Sequence, residues 1–170
     1  MEERLTYDRE KAVRYAKEWA YRRNPEYYNF EELGGDCTNF ASQAVYAGAG
    51  VMNFTPVFGW FYIDSYNRTA SWTDVEYFYN FMVNNQGPGP YMAEVPLSDL
   101  MPGDVVQLKF PDKPVFSHTP VVVSVGQSPN PSNILLAAHS FDADCRPLAT
   151  YQYERVRGLH VLGVRPPQPE

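Results

Sequence analysis

From about Asp8 to Arg23, apolar residues recur at Ala12, Tyr15, Ala16, Trp19 and Ala20, and Asn24-Pro25 follows. Steps of three and four place them on one face of a helix, which the Asn-Pro pair stops. A second helix is predicted from Asp36-Cys37 to about Ala47, with Phe40, Ala41, Ala44 and Val45 as its buried stripe and Gly48 and Gly50 at its end. A third is signalled by Ser71 as N-cap with Asp74 three residues on, followed by Val75, Phe78, Tyr79 and Met82 on one face. The run Asn84-Asn85-Gln86-Gly87-Pro88-Gly89-Pro90 breaks that helix and reads as a loop. Between the second and third helices, a segment with Phe58, Trp60, Phe61, Tyr62 and Tyr66 reads as an irregular aromatic loop.

After Pro102-Gly103 the period changes. Strands are predicted at 104–110, 118–125, 134–139 and 159–164, with a short one at 151–156. Pro111 to Pro114 is a turn and Gly126 to Asn133 a polar loop. Helices first and consecutive strands afterwards argue an α+β domain, N-terminal helices packed on an antiparallel β-sheet. The chain of 170 residues has room for one core, so residues 1–165 are expected to form a single domain and 166–170 a disordered proline-rich tail.

Composition narrows the function classes. Net charge is −6, and the seven basic side chains among the first 30 residues alternate with six acids, which is a solvated helix face rather than a nucleic-acid footprint. No apolar run is long enough to span a membrane. The start, Met1-Glu2-Glu3-Arg4, has no apolar signal-peptide core. The two cysteines, Cys37 and Cys145, make no disulfide framework and have no close-pair zinc spacing. Neither a metal nor an organic cofactor is expected. The chain also has no phosphate-binding glycine loop and no Gly-x-Ser-x-Gly elbow.

Cys37 is the first candidate for chemistry. It follows Gly34-Gly35-Asp36 and opens a helix, where the dipole and unpaired N–H groups favour a thiolate and can hold a developing oxyanion. Asp36 is placed to cap that helix. A buried, inert thiol is the competing reading of Cys37. His118, at the start of a strand in Phe116-Ser117-His118-Thr119, is the candidate base, against a hydrogen-bonded edge histidine. His139 ends the next strand and could orient the His118 ring; Asp142, three residues later, offers a carboxylate for the same task. His160 reads as structural, and Cys145, beside Asp142 and Asp144, does not read as a nucleophile.

Cysteine at a helix start, then a strand histidine, then a polar residue on the next strand is the papain-like order. The stretch Asp36-Cys37-Thr38-Asn39-Phe40-Ala41-Ser42-Gln43 resembles the nucleophile motif of a bacterial putative amidase domain family, which is related to the NlpC-type and CHAP-type papain-like cell-wall hydrolases. Tyr7 to Val13, Trp60-Phe61-Tyr62, Ser71-Trp72, Leu100 to Val106 with its Pro-Gly-Asp turn, and Ser117-His118-Thr119 before Val121-Val122-Val123 are similar in the same order. The related hydrolases often read Asp-Cys-Ser-Gly, where this chain has Asp36-Cys37-Thr38-Asn39.

The resemblance implies a papain-like fold and a cysteine amidohydrolase or peptidase. Cys37 would be the nucleophile, His118 the base and His139 the third member, with Asp142 its alternative. Asp36, Trp60, Tyr62 and Ser117 are expected to contact substrate, and Phe58 to Tyr66 and Asn84 to Pro90 to wall the groove. The implied partner is a peptide or amide substrate, peptidoglycan stem peptide first, and the implied setting is secreted or cell-wall-associated. A transferase using the same cysteine and histidine, or a catalytically inactive module that binds cell-wall or peptide ligands, are the alternatives.

Overall fold

The computed structural model describes residues 5–169, so the readings that fall on Met1 to Arg4 and on Glu170 lie outside the described residues. The first helix, α1 (Arg9–Trp19), is capped by Asp8, whose carboxylate accepts from the Lys11 N–H at 3.0 Å. Its buried stripe is of small side chains, Ala12 and Ala16, with Ala20 just beyond, and this lets it lie close against α2 (Cys37–Ala49). At the crossing, a Cβ on Gly48 would stand 2.7 Å from the Asp8 carbonyl oxygen and 2.7 Å from the Tyr7 ring. Gly48→Ala is therefore expected to cost about 2–3 kcal/mol through overpacking, read as a shift of the urea midpoint.

The second helix is buried on nearly every side. Its polar side chains are tolerated there because each has a partner. Gln43 accepts from the Tyr15 hydroxyl at 2.5 Å, and Ser42 donates to Trp72 O at 2.9 Å while accepting from the Trp60 indole at 3.1 Å. Gly50, at φ +69°, ends the helix in the left-handed conformation, its N–H returning to Tyr46 O at 2.7 Å.

The aromatic segment is more ordered than its composition predicts, since Tyr62–Asp64 (β1) and Asn67–Arg68 (β2) pair as a small hairpin. The expected cap at Ser71 is also replaced. Ser71 sits inside a separate single turn, α3 (Ala70–Thr73), and donates to Gly59 O. Asp74 caps α4 (Val75–Asn84) by accepting from the Tyr77 N–H at 3.1 Å.

Six antiparallel strands form one sheet: β3 (Gly89–Val95), β4 (Val105–Lys109), β5 (Val121–Ser124), β6 (Leu135–Ala138), β7 (Ala143–Pro147) and β8 (Arg155–Arg165), in the order β3-β8-β4-β5-β6-β7. The architecture is α+β, as the element order predicts. Alternate residues serve two cores. Val105, Val121 and Ala137 face the helices, whereas Val106, Val122 and Leu136 pack with Leu148 and Tyr151 on the other side.

Two strands of the sheet are not expected from the sequence at all, and both lie at its edges. The Gly-Pro-Gly-Pro run leads into β3 instead of remaining a loop, because an edge strand tolerates prolines that a central one cannot. The other, β7, starts directly after Asp142. Its turn from β6 has Ser140 and Phe141 at φ +59° and +65°, the pattern of a tight hairpin carried by residues that rarely supply it. The strand expected from His118 starts at Val121, since Pro120 has no N–H to give, although Leu108 still bridges to His118. The last strand, β8, takes in the one predicted at 159–164 but begins only at Arg155, so most of the short strand predicted at 151–156 has no regular structure. Past it, 166–169 have no regular secondary structure.

Candidate active site

Cys37 stands where α2 meets the end of β5. Gly34 and Gly35, at φ +97° and +103°, turn the chain into the helix, and the Asp36 N–H is held by Ser140 Oγ at 3.0 Å. The sulfur lies 3.7 Å from Thr38 Oγ1 and 3.8 Å from Ser117 O, the carbonyl just before His118. Thr38 Oγ1 is in turn 3.1 Å from Thr119 Oγ1, which accepts from Gln107 Nε2 at 3.3 Å. The first turn of α2 is thereby tied to the segment before β5 that carries His118.

Cys37, Ser117 and His118 open on one cleft of about 810 Å³, which Phe110, Arg146 and Tyr151 also line. His118 is 5% exposed and lies between the Phe110 and Tyr151 rings, at 6.2 and 5.8 Å between centroids. Its Nε2 is buried and has no partner among the described residues.

The electrostatics differ from those of an isolated helix start. Burial pushes the Cys37 thiol up; hydrogen bonds from the Thr38 hydroxyl and from the Thr119 and Thr38 N–H groups oppose it, and Asp36 adds to the rise. Burial, with the Arg146 guanidinium adding to it, pushes His118 down to about 4. Both shifts favour the uncharged forms, thiol and neutral imidazole, at neutral pH.

The same shift has a consequence for stability. Between about pH 4 and the ordinary histidine range near 6.5, the unfolded chain binds a proton that folded His118 refuses. Folding stability from this group is full above 6.5 and is lost as pH falls toward 4, by roughly 3 kcal/mol at most. Urea titrations at pH 7 and pH 4 should show that loss in the wild type, and a smaller loss in His118→Phe.

The third member is not where the spacing places it. His139 is 1% exposed and stacks on Phe40 of α2 with centroids 4.0 Å apart. Its Nδ1 meets Asp36 Oδ2 at 2.5 Å and its Nε2 meets Trp19 O at 2.7 Å, so neither nitrogen is left for His118. Asp142 is held by both terminal nitrogens of Arg23, at 2.9 and 3.0 Å. Asp36 makes no side-chain cap. Its carboxylate is 1% exposed and accepts from Phe30 N at 2.8 Å, Asn39 Nδ2 at 2.9 Å and His139, with Arg23 Nε 3.5 Å away. His139 and Asp142 are thus tied to Asp36, the residue before Cys37, directly and through Arg23, and neither is bonded to His118.

Of the residues expected to touch substrate, Ser117 reaches the cleft. Asp36 is buried behind it, and Trp60 and Tyr62 belong to the helix-side core, with Trp60 against Trp72 at 4.5 Å and the Tyr62 hydroxyl accepting from Tyr28 N at 2.7 Å. Phe58 and the Asn84–Gly87 stretch border a different cavity. His160 is structural in the sense expected, with Nδ1 2.8 Å from Asp104, the same carboxylate that pairs with Arg9. Cys145 is an exposed free thiol with Lys17 Nζ at 3.1 Å. Among the described residues no group of three or more histidine, cysteine or acidic side chains could hold a metal ion. No helix of the described chain is long and apolar enough to cross a membrane.

Sequence reasoning missed Thr38, Thr119, Arg146 and Tyr151. The two threonines directly follow the two candidate residues and were legible as a pair. Arg146 and Tyr151 gave no signal, because one lies on an edge strand that itself went unread and the other follows it.

A profile of the putative amidase domain family matches residues 6–162, and the chain belongs to that family. Among curated proteins, the uncharacterized protein YhbB of Bacillus subtilis (strain 168) is 33% identical over 142 residues, which is 82% of this chain and 43% of that protein. The chain thus spans less than half the length of this relative. No solved structure matches the chain significantly.

Proposed function

We propose that the protein is a papain-like cysteine amidohydrolase, akin to the NlpC-type and CHAP-type hydrolases, in which Cys37 attacks an amide carbonyl. The observation that carries this reading is the position of Cys37 at the first turn of α2, opening on one cleft with His118. The Cys37 thiol passes its proton to neutral His118 as the sulfur bonds to the carbonyl carbon. The Cys37 backbone N–H, at the positive end of the helix, faces the developing oxyanion. His118 then protonates the leaving amine, and water, giving a proton back to the imidazole, hydrolyses the thioester.

The substrate proposed is a peptide of the bacterial cell wall. Purified peptidoglycan peptides incubated with the protein should lose an amide bond, seen by mass spectrometry as two fragments with one water added. Peptide that stays intact but is retained on the protein would replace this reading with that of a binding module.

A further inference from the structure

We propose that Arg146 is a carboxylate-binding residue of the Cys37 cleft, so that the substrate carries a free carboxylate close to the amide bond under attack. This inference rests on the reading of Cys37 as the nucleophile.

Four observations lead to it. The guanidinium is fixed before any ligand arrives: Nε donates to Thr150 Oγ1 at 2.8 Å, Nη2 donates to Thr150 O at 3.0 Å, and the group lies 3.7 Å over the Tyr151 ring. Thr150 Oγ1 is itself tied to Pro147 O at 2.7 Å. A guanidinium held in this way loses little freedom on binding a planar anion.

Second, among the described residues no acid lies within 4.0 Å of Arg146, and its guanidinium meets only Thr150 and Tyr151. Arg9, Arg23 and Arg157 each face a carboxylate, on Asp104, Asp142 and Glu76. A cation left without its counter-charge in a cleft is where an anionic ligand gains most.

Third, the charged side chains on the cleft are Arg146, Lys113 and Asp112, an excess of one positive charge in a chain of net charge −6. Fourth, the buried His118 Nε2 on the same cleft lacks a partner among the described residues. Buried polar groups are rarely left so unless a ligand or water completes them. A carboxylate on Arg146 would also cancel the charge that helps hold His118 low, leaving the imidazole readier to take the thiol proton.

The test compares two alkylating reagents that differ only in this group. Iodoacetate and iodoacetamide each lose iodide to the Cys37 sulfur, whose proton passes to solvent; one carries a carboxylate and the other a carboxamide. Rates at mildly alkaline pH are read from the Cys37 peptide by mass spectrometry, so Cys145 does not interfere, and glutathione gives the reference ratio. The iodoacetate-to-iodoacetamide ratio at Cys37 should exceed that of glutathione by about tenfold, as one charge-assisted hydrogen bond would give. Arg146→Gln should bring it down to the reference, and Arg146→Lys should keep part of it. A wild-type ratio equal to that of glutathione, or one that Arg146→Gln leaves unchanged, overturns the proposal. The wild-type ratio decides alone if the glutamine variant fails to fold. Rapid alkylation without anion preference would leave Cys37 as the nucleophile and remove Arg146; a Cys37 inert to both reagents would remove both.

Discussion

Cys37→Ala should lower kcat/KM for amide hydrolysis by about 10,000-fold or more, since without the sulfur no thioester can form. His118→Ala should lose nearly as much, and the double variant hardly more than either single one, because in the proposed mechanism the two groups serve the same step. Cys145→Ser is expected to stay within about twofold of wild type, as its side chain lies outside the cleft. Cys37→Ala removes a small buried side chain, so its circular dichroism spectrum should match that of wild type, which separates lost chemistry from lost fold. A Cys37→Ala protein that still cleaved its substrate would end the cysteine mechanism outright.

The same residues mark how far the sequence could be read. Helices with a clean stripe were legible: Ala12 and Ala16 of α1 and Phe40, Ala41 and Ala44 of α2 are all fully buried. Central strands were legible too, because both faces of β4 and β5 are covered and their sequences are mostly branched apolar residues. The edge strands β3 and β7 were not, since one hides in a Gly-Pro run and the other is polar.

The two histidines failed for a related reason. Val121 pairs with Ala137, and the same register carried two residues further sets position 139 against 119, not against 118. A slip of one residue turns a side chain to the opposite face of a sheet. Thr119 therefore meets Thr38 of α2 and His139 meets Phe40 of α2, while His118 turns toward Tyr151. Nothing in the length of the loop between β5 and β6 announces that register.

The second large effect is expected at Asp36. Asp36→Ala should destabilise the fold by about 3–5 kcal/mol, measured by urea unfolding at neutral pH. The reason is what the deletion leaves behind rather than the contacts it removes. The Phe30 N–H, the Asn39 amide and the His139 Nδ1 would all face a space with no acceptor, and Arg23 would lose one of its acids. Asp36→Asn keeps an oxygen for the Phe30 N–H and the Asn39 amide and an N–H that His139 Nδ1 can accept, so it should recover part of the loss. His139→Phe keeps the stacking on Phe40 but leaves the Asp36 carboxylate and the Trp19 carbonyl without it, so it should cost at least about 2 kcal/mol. A stability change below about 1 kcal/mol in Asp36→Ala would mean that Cys37 is positioned by α2 alone. Because Asp36 precedes Cys37 in the chain and also holds Asn39 of the same helix, losing it should move the Cys37 sulfur, the proposed nucleophile, relative to His118. Any Asp36→Ala protein that still folds should then lose kcat with little change in KM, the signature of a group that aims the nucleophile without touching the substrate.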